Sequence, residues 1–156
     1  GDLISICRRL MVIACEDISL AYPQAVSIVK SCVDCAMQLG FPEARIPLSQ
    51  AVILLATAPK SNSAVCAIDD ALLDIANHDT GDIPDHLKDG HYAAAKKLGR
   101  SVGYKYPHSY KNHYVNQQYL PDNIKDAVYY HPGENKFETA AKSYMDNIKQ
   151  SDNGKE

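Results

Sequence analysis

No string in this chain matches GxxxxGK[ST], the loop in which backbone amides cradle phosphates, a lysine reaches them and a hydroxyl sits on magnesium. The nearest imitation, Ala58-Pro59-Lys60-Ser61, lacks the glycines, and Pro59 removes an amide where such a loop needs one. A phosphate loop of that type is therefore absent from these residues. Long hydrophobic runs are missing too. The longest strictly apolar stretch, Ala51 to Ala56, falls far short of the ~20 residues a membrane span needs, and no charged segment followed by an apolar one opens the chain. A soluble, cytoplasmic chain with no membrane partner is the expectation. Strand vocabulary is thin, with VYYH at 128–131 as the one candidate, and no internal repeat or linker-like segment is visible.

Metal chemistry has little to work with. Cys32-Val33-Asp34-Cys35 has a ligand-like spacing that puts both thiols on one helical face, but a structural zinc site needs four ligands, and Cys7, Cys15 and Cys66 are scattered singly. Small buried hydrophobes are the expected role for these thiols. His86 and His91 cluster with Asp85 and Asp89, and His78-Asp79 has the pairing used by metal phosphohydrolases, yet no second set of His and Asp accompanies them. No nucleophile elbow marks a Ser/His/Asp or Cys/His triad.

What remains is helical. With 156 residues, 46% of them hydrophobic, the chain can bury one substantial core, and a net charge of −3 creates no global field toward a polyanion. Leu3, Ile6, Cys7, Leu10 and Ile13 make one stripe of a first helix capped by Asp2 and running to about Cys15. Pro23 opens a second helix carrying Val26, Val29, Val33, Ala36 and Met37, with Gly40 at its left-handed C-cap. Leu48 to Ala58 is apolar almost all round and reads as a third helix buried on most sides, the centre of the core. Pro59 stops it. Ser61 or Asn62 caps a fourth helix whose stripe is Val65, Ile68, Leu72 and Ile75 and which reaches about Asn77.

Beyond Asn77 the texture changes. HDTGDIP is turn-rich, IPDHLKD suggests a single turn, and HYAAAKKLG a short helix closed by Gly99. The segment from Arg100 to Pro132 holds most of the ten tyrosines and several Pro breaks, and reads as an irregular arm burying its rings against the helices. A final helix over 134–150 presents Phe137, Ala141, Tyr144 and Ile148 on one face, and the polar residues 151–156 are expected to be disordered. The class is all-α: one domain over 1–150 of about five to seven helices plus the Tyr/Pro-rich arm.

Two surfaces stand out as candidates. Lys96, Lys97, Arg100, Lys105 and Lys111, interleaved with tyrosines, are the best placed for nucleic acid, since rings stack on splayed bases while cations hold phosphates. Arg8-Arg9 and Glu16-Asp17 form a second charged set, whose simplest role is ion pairing or helix-end hydrogen bonding that orders the first turn-around. Helices one and three carry more apolar surface than a single core needs. Ile4, Met11 and Val12 lie off the main stripe and Leu54 and Leu55 extend the apolar girth, so with Arg8 these residues are the candidate contacts to another copy of the chain.

Three strings carry a resemblance: RRLMVIACEDISLAYPQA, GFPEARIPLSQAVILLATAPKSNSA, and GYKYPHSY followed by QQYLPD. Over roughly residues 3–132 the chain resembles the C-terminal region of the replication-associated recombination protein A family (RarA, or MgsA), whose eukaryotic relative is the Werner helicase-interacting protein. The family consists of AAA+ ATPases that maintain stalled replication forks. The resemblance implies a clamp-loader-type oligomerisation domain lying after the nucleotide-binding core, assembling as a homotetramer. It also implies that ATP and magnesium belong to that core, that no cofactor or metal is held here, and that DNA and fork proteins are met by the full-length protein near the nucleoid. On this reading the chain is a fragment without catalytic activity of its own, a view suggested also by its start at Gly1 without methionine. The competing reading is a free-standing helical metal-binding or hydrolytic domain built on the His and Cys clusters.

Overall fold

The computed structural model describes residues 2–88 and 102–152. Among them five α-helices appear and no strand: α1 (Leu3–Ile13), α2 (Gln24–Leu39), α3 (Arg45–Thr57), α4 (Ser63–Asn77) and α5 (Lys136–Asp152). VYYH at 128–131 is irregular, and the short helix expected over 91–99 falls outside the described residues.

Local chemistry sets the helix ends. The Asp2 carboxylate accepts from the Ile4 amide at 3.1 Å, satisfying one of the donors that the first turn leaves orphaned. The helical path of α1 continues past Ile13 as a π-helical turn, Ala14–Ile18, then as a short 3-10 turn, Ser19–Ala21. The wider turn swings Ala14 and Ile18 fully inward, both at 0% exposure. Pro23 sits just before α2, where its missing amide costs nothing. Gly40 ends α2 with φ 66° and ψ 177°, a positive-φ extended conformation nearly restricted to glycine rather than the expected left-handed helical one. At α4 Asn62 holds the N-cap position, its carbonyl accepting the first helical bond from the Cys66 amide at 3.0 Å, while Ser61 Oγ just before it accepts from the Ser63 amide at 3.3 Å.

The chain gathers into two compact units, one of residues 1–69 with 130–141, the other of 70–129 with 142–156. The core belongs to the first. There α2 packs on both α1 and α3, with Leu10, Val29, Val33, Leu48 and Leu55 interleaved by Ala25, Ala36 and Ala51, whose lack of bulk allows the helices to approach closely. Val26 and Met37, expected inside, face outward.

In the second unit the segment from Val102 to Tyr129 is irregular, broken by 3-10 turns at Pro107–Ser109, Lys111–His113 and Asp122–Ile124. Here the expectation fails: Tyr104, Tyr106, Tyr110 and Tyr119 expose their rings rather than burying them. Their flanking prolines and polar residues supply no apolar groove to receive them. The final helix begins two residues later than expected, and Ser151 and Asp152 extend it into what was read as tail.

Candidate assembly surface

Three helices carry large apolar residues on faces left exposed among the described residues. On α3, Pro47, Leu48, Ala51 and Leu55 point into the core, while Ile46, Val52 and Ile53 point out, Ile53 at 63% exposure. The helix expected to be buried on most sides is therefore buried on one. A run apolar all round carries no periodicity to say which face turns inward. On α4 the departure is larger. Ile68, Leu72 and Ile75, expected as the core stripe, are all exposed together with Leu73, and Ser63 is its only buried residue. Large exposed apolar residues grouped on one helix are uncommon on a monomer's surface and mark contact sites.

Along α1, Ile4, Arg8 and Val12 recur every four residues and are exposed on one stripe, whereas Met11 is half-buried against the core. Leu54 is likewise packed against the core and Leu55, 5% exposed, lies within it. The outward residues of α3 are Ile46, Val52 and Ile53, which the sequence reading passed over. Among the described residues Arg8 and Arg9 make no ion pair, and neither do Glu16 and Asp17, nor Asp69 and Asp70 on the exposed part of α4. Of the two roles expected for Arg8-Arg9 and Glu16-Asp17, ion pairing or helix-end hydrogen bonding, the ion pairs are not formed among the described residues. The turn-around is tied instead by the Ser61 amide, which donates to the Asp17 carbonyl at 2.8 Å.

The same unit holds a carboxylate that the sequence reading missed. Glu138, in the first turn of α5, is fully buried at 0% exposure. Its Oε1 accepts from the Ser63 and Tyr130 hydroxyls, the latter at 2.9 Å, and its Oε2 accepts from the Asn135 side-chain amide. The Glu138 amide returns a bond to Asn135 Oδ1 at 3.0 Å, so Asn135 caps the first turn of α5, and the two side chains are bonded to each other as well. Burial pushes the acid's pKa up, but the hydrogen bonds from Ser61, Ser63, Asn135 and the Gly133 amide outweigh it and bring the value down to about 2. Tyr130 is pushed up to about 12 by its own burial and by the bond to that carboxylate. Among the described residues no cation forms an ion pair with Glu138, and hydroxyl and amide dipoles hold the charge. The Asn-x-x-Glu spacing is a readable signal for the cap, although not for the burial.

Among the described residues the remaining candidates are not brought together. Cys32 is buried in the core, where burial raises its thiol pKa, while Cys35, one turn on, is exposed, so the two thiols are not presented together to solvent. Among the described residues no group of three or more His, Cys, Asp and Glu is placed to hold a metal. His91 and Asp89 lie outside them. His86 bonds through Nε2 to the Gln118 carbonyl at 2.8 Å, a structural tether. His78 lies 3.5 Å from Asp74, which also accepts from Tyr129 at 2.8 Å, beside an open cleft of about 640 Å³ in the second unit. Of the candidate nucleic-acid residues, Lys105 and Lys111 are exposed on the tyrosine-rich segment, and Lys96, Lys97 and Arg100 fall outside the described residues.

Comparison with known proteins places these features. The sequence profile of the family described as MgsA AAA+ ATPase C terminal matches residues 1–149, taking in most of α5, which the three strings did not reach. Replication-associated recombination protein A of Bacillus subtilis (strain 168) is 56% identical over 149 residues, covering 95% of this chain and 35% of that protein. Its namesake in Escherichia coli (strain K12) is 34% identical over 133 residues, 85% of this chain and 30% of the relative. ATPase WRNIP1 of Dictyostelium discoideum is 29% identical over 126 residues, 80% of this chain and 14% of the relative. The chain thus spans about a third or less of the length of these relatives. With α1 to α4 and all but the last three residues of α5 inside the matched region, the chain belongs to the MgsA AAA+ ATPase C-terminal family.

Proposed function

We propose that this chain is the part through which an AAA+ ATPase acting in replication-fork maintenance and recombination assembles with copies of itself, as a homotetramer. The observation that carries the reading is the exposure of large apolar residues on helix faces, Ile4 and Val12 on α1 and Ile53 on α3 in the first unit, Leu72 and Ile75 on α4 in the second. The occupant is a second copy because the charges on these helices complement one another: Arg8 and Arg9 on α1, Asp69 and Asp70 on α4, all exposed and none in an ion pair among the described residues. Closed symmetry is the usual solution for identical chains, and two self-complementary patches per copy give a tetramer.

On this reading ATP and magnesium are handled by the AAA+ core of the whole protein, as is the engagement of replication-fork partners in the cytoplasm. The chain by itself neither binds nor hydrolyses ATP. Sedimentation at micromolar concentration tests the assembly: a tetramer mass that falls to a monomer in Ile53→Asp, with the helical circular dichroism retained, is the expected result. A monomeric unsubstituted chain overturns the reading, and a stable dimer removes the tetramer while leaving self-assembly in place.

A further inference from the structure

We infer that the tyrosine-rich segment from Tyr104 to Tyr119 is a binding surface for single-stranded nucleic acid, separate from the apolar faces assigned to assembly. Tyrosine rings packed against a core would have left nothing to explain, but Tyr104, Tyr106, Tyr110 and Tyr119 are exposed, Tyr106 at 58%. Exposed aromatic rings clustered on one short segment sacrifice burial, and they need an occupant with flat faces to recover it.

The rings are held in place. Tyr106 and His108 stand 5.2 Å apart at 47°, and His108 and His113 4.9 Å apart at 50°, giving a short ladder of three tilted rings. The last rung depends on a left-handed backbone at two consecutive residues that carry a Cβ, Asn112 at φ 56° and His113 at φ 53°, an uncommon arrangement that recurs where a side chain must be aimed. The Gln117 side chain clamps the start of the segment. Its amide nitrogen donates to the Lys105 carbonyl at 2.8 Å and to the Tyr119 hydroxyl at 3.0 Å, while its oxygen accepts from the Lys105 amide at 3.1 Å. Lys105 is thereby tied beside Tyr119.

The electrostatics select the occupant. Residues 90–121 contain no Asp or Glu, although the chain carries 19 of them and a net charge of −3. Lys105 and Lys111 are exposed and make no ion pair among the described residues. A segment that combines stacking faces with unneutralised cations and carries no carboxylate of its own, Asp122 and Asp126 lying at its end beside Gln118 and Tyr119, suits a polyanion with exposed π-faces. A single strand meets that description, whereas in a duplex the faces are already stacked. The proposal rests on residues 104–119 and not on the assembly reading.

Fluorescence anisotropy of a labelled oligothymidylate at low salt tests it, using the chain as it stands. Tyr106→Ala and Tyr110→Ala should each weaken binding by about tenfold, within the range for losing one stacked base, while Tyr106→Phe binds as the unsubstituted chain does. Lys105→Ala and Lys111→Ala should each reduce the salt slope by roughly 0.7. Because these side chains are exposed, melting temperatures should not move, which separates lost contacts from lost folding. The proposal is overturned by the absence of binding, by binding indifferent to the tyrosine replacements, or by a duplex of equal length competing equally. It is overturned also if the tyrosine variants change the mass of the assembly and not the affinity, which would make the patch a contact between copies.

Discussion

A Cβ built on Gly133 would lie 2.8 Å from Oε2 of Glu138 and 3.3 Å from Ser61 Oγ, so the buried carboxylate occupies the space a side chain at 133 would need. Gly133 is required here for room and not for backbone conformation. Its backbone amide, moreover, is one of the donors that hold the acid ionised. Gly133→Ala should destabilise the chain by about 1–3 kcal/mol, the range for overpacking a filled site. Glu138→Gln should cost about 2–3 kcal/mol, since a Gln amide turns its own donors toward Ser63, Tyr130 or Asn135. Urea unfolding of both variants checks this, and an unchanged midpoint in Glu138→Gln would show that the charge is not what the donors serve.

The same cluster sets an acid limit. Glu138 has a folded pKa of about 2 against an ordinary 4.5, so it stabilises the fold fully above pH 4.5, and that contribution is lost as the pH falls through about 2. Its size is up to about 3 kcal/mol, from 1.36 kcal/mol per unit. Tyr130 behaves with the opposite sense: its pKa is raised from 10 to about 12, so its contribution is complete below pH 10 and lost as the pH climbs past about 12. Melting temperatures measured between pH 5 and pH 2 should fall more steeply for the unsubstituted chain than for Glu138→Gln. Parallel curves would reject the assignment.

Much of the fold is legible in short-range chemistry. The cap at Asp2, the glycine closing α2, the reach of α4 to Asn77 and the core stripe of Val29, Val33 and Ala36 all follow from spacing and local hydrogen bonding. What spacing does not give is the partner of each face. Ile68, Leu72 and Ile75 have a flawless helical stripe, and it is exposed, because periodicity reports that a face is apolar and not what covers it. The tyrosines fail for a related reason, since a ring's preference for burial is overruled when the neighbouring sequence offers no groove. Glu138 escaped notice because its burial depends on Ser63, 75 residues earlier, and only the Asn135 half of its environment is local. The π-helical turn after Ile13 had no sequence signal that we can identify.

Neighbouring residues on α3 provide a direct comparison of core and surface. Leu55 is enclosed and Ile53, two positions away, is open to solvent. Leu55→Ala should lower stability by about 2–5 kcal/mol through the cavity it leaves. Ile53→Ala, measured on dilute monomer, should stay within about 0.5 kcal/mol of the unsubstituted chain, as surface changes do. At higher concentration the order should invert for assembly, Ile53→Ala weakening it and Leu55→Ala affecting it only through folding. Thermal melts at several protein concentrations separate the two, and a concentration-independent result for both would place Ile53 outside any contact.

The charges beside the apolar faces supply the sharpest test of how copies meet. If Arg8 and Arg9 of one copy approach Asp69 and Asp70 of another, reversing either pair places like charges together at the contact, a juxtaposition that costs several kcal/mol and suppresses association. Arg8→Glu with Arg9→Glu should therefore yield monomers, and so should Asp69→Arg with Asp70→Arg. All four residues are exposed and make no ion pair among the described residues, so each variant should keep its fold. Combining all four changes in one chain restores opposite charges across the contact and should recover the assembly mass. Recovery is the discriminating outcome, since general loss of solubility or stability would accumulate with four substitutions and not reverse. If the fourfold variant stays monomeric while Ile53→Asp also dissociates the unsubstituted chain, self-assembly stands and the pairing of α1 with α4 does not.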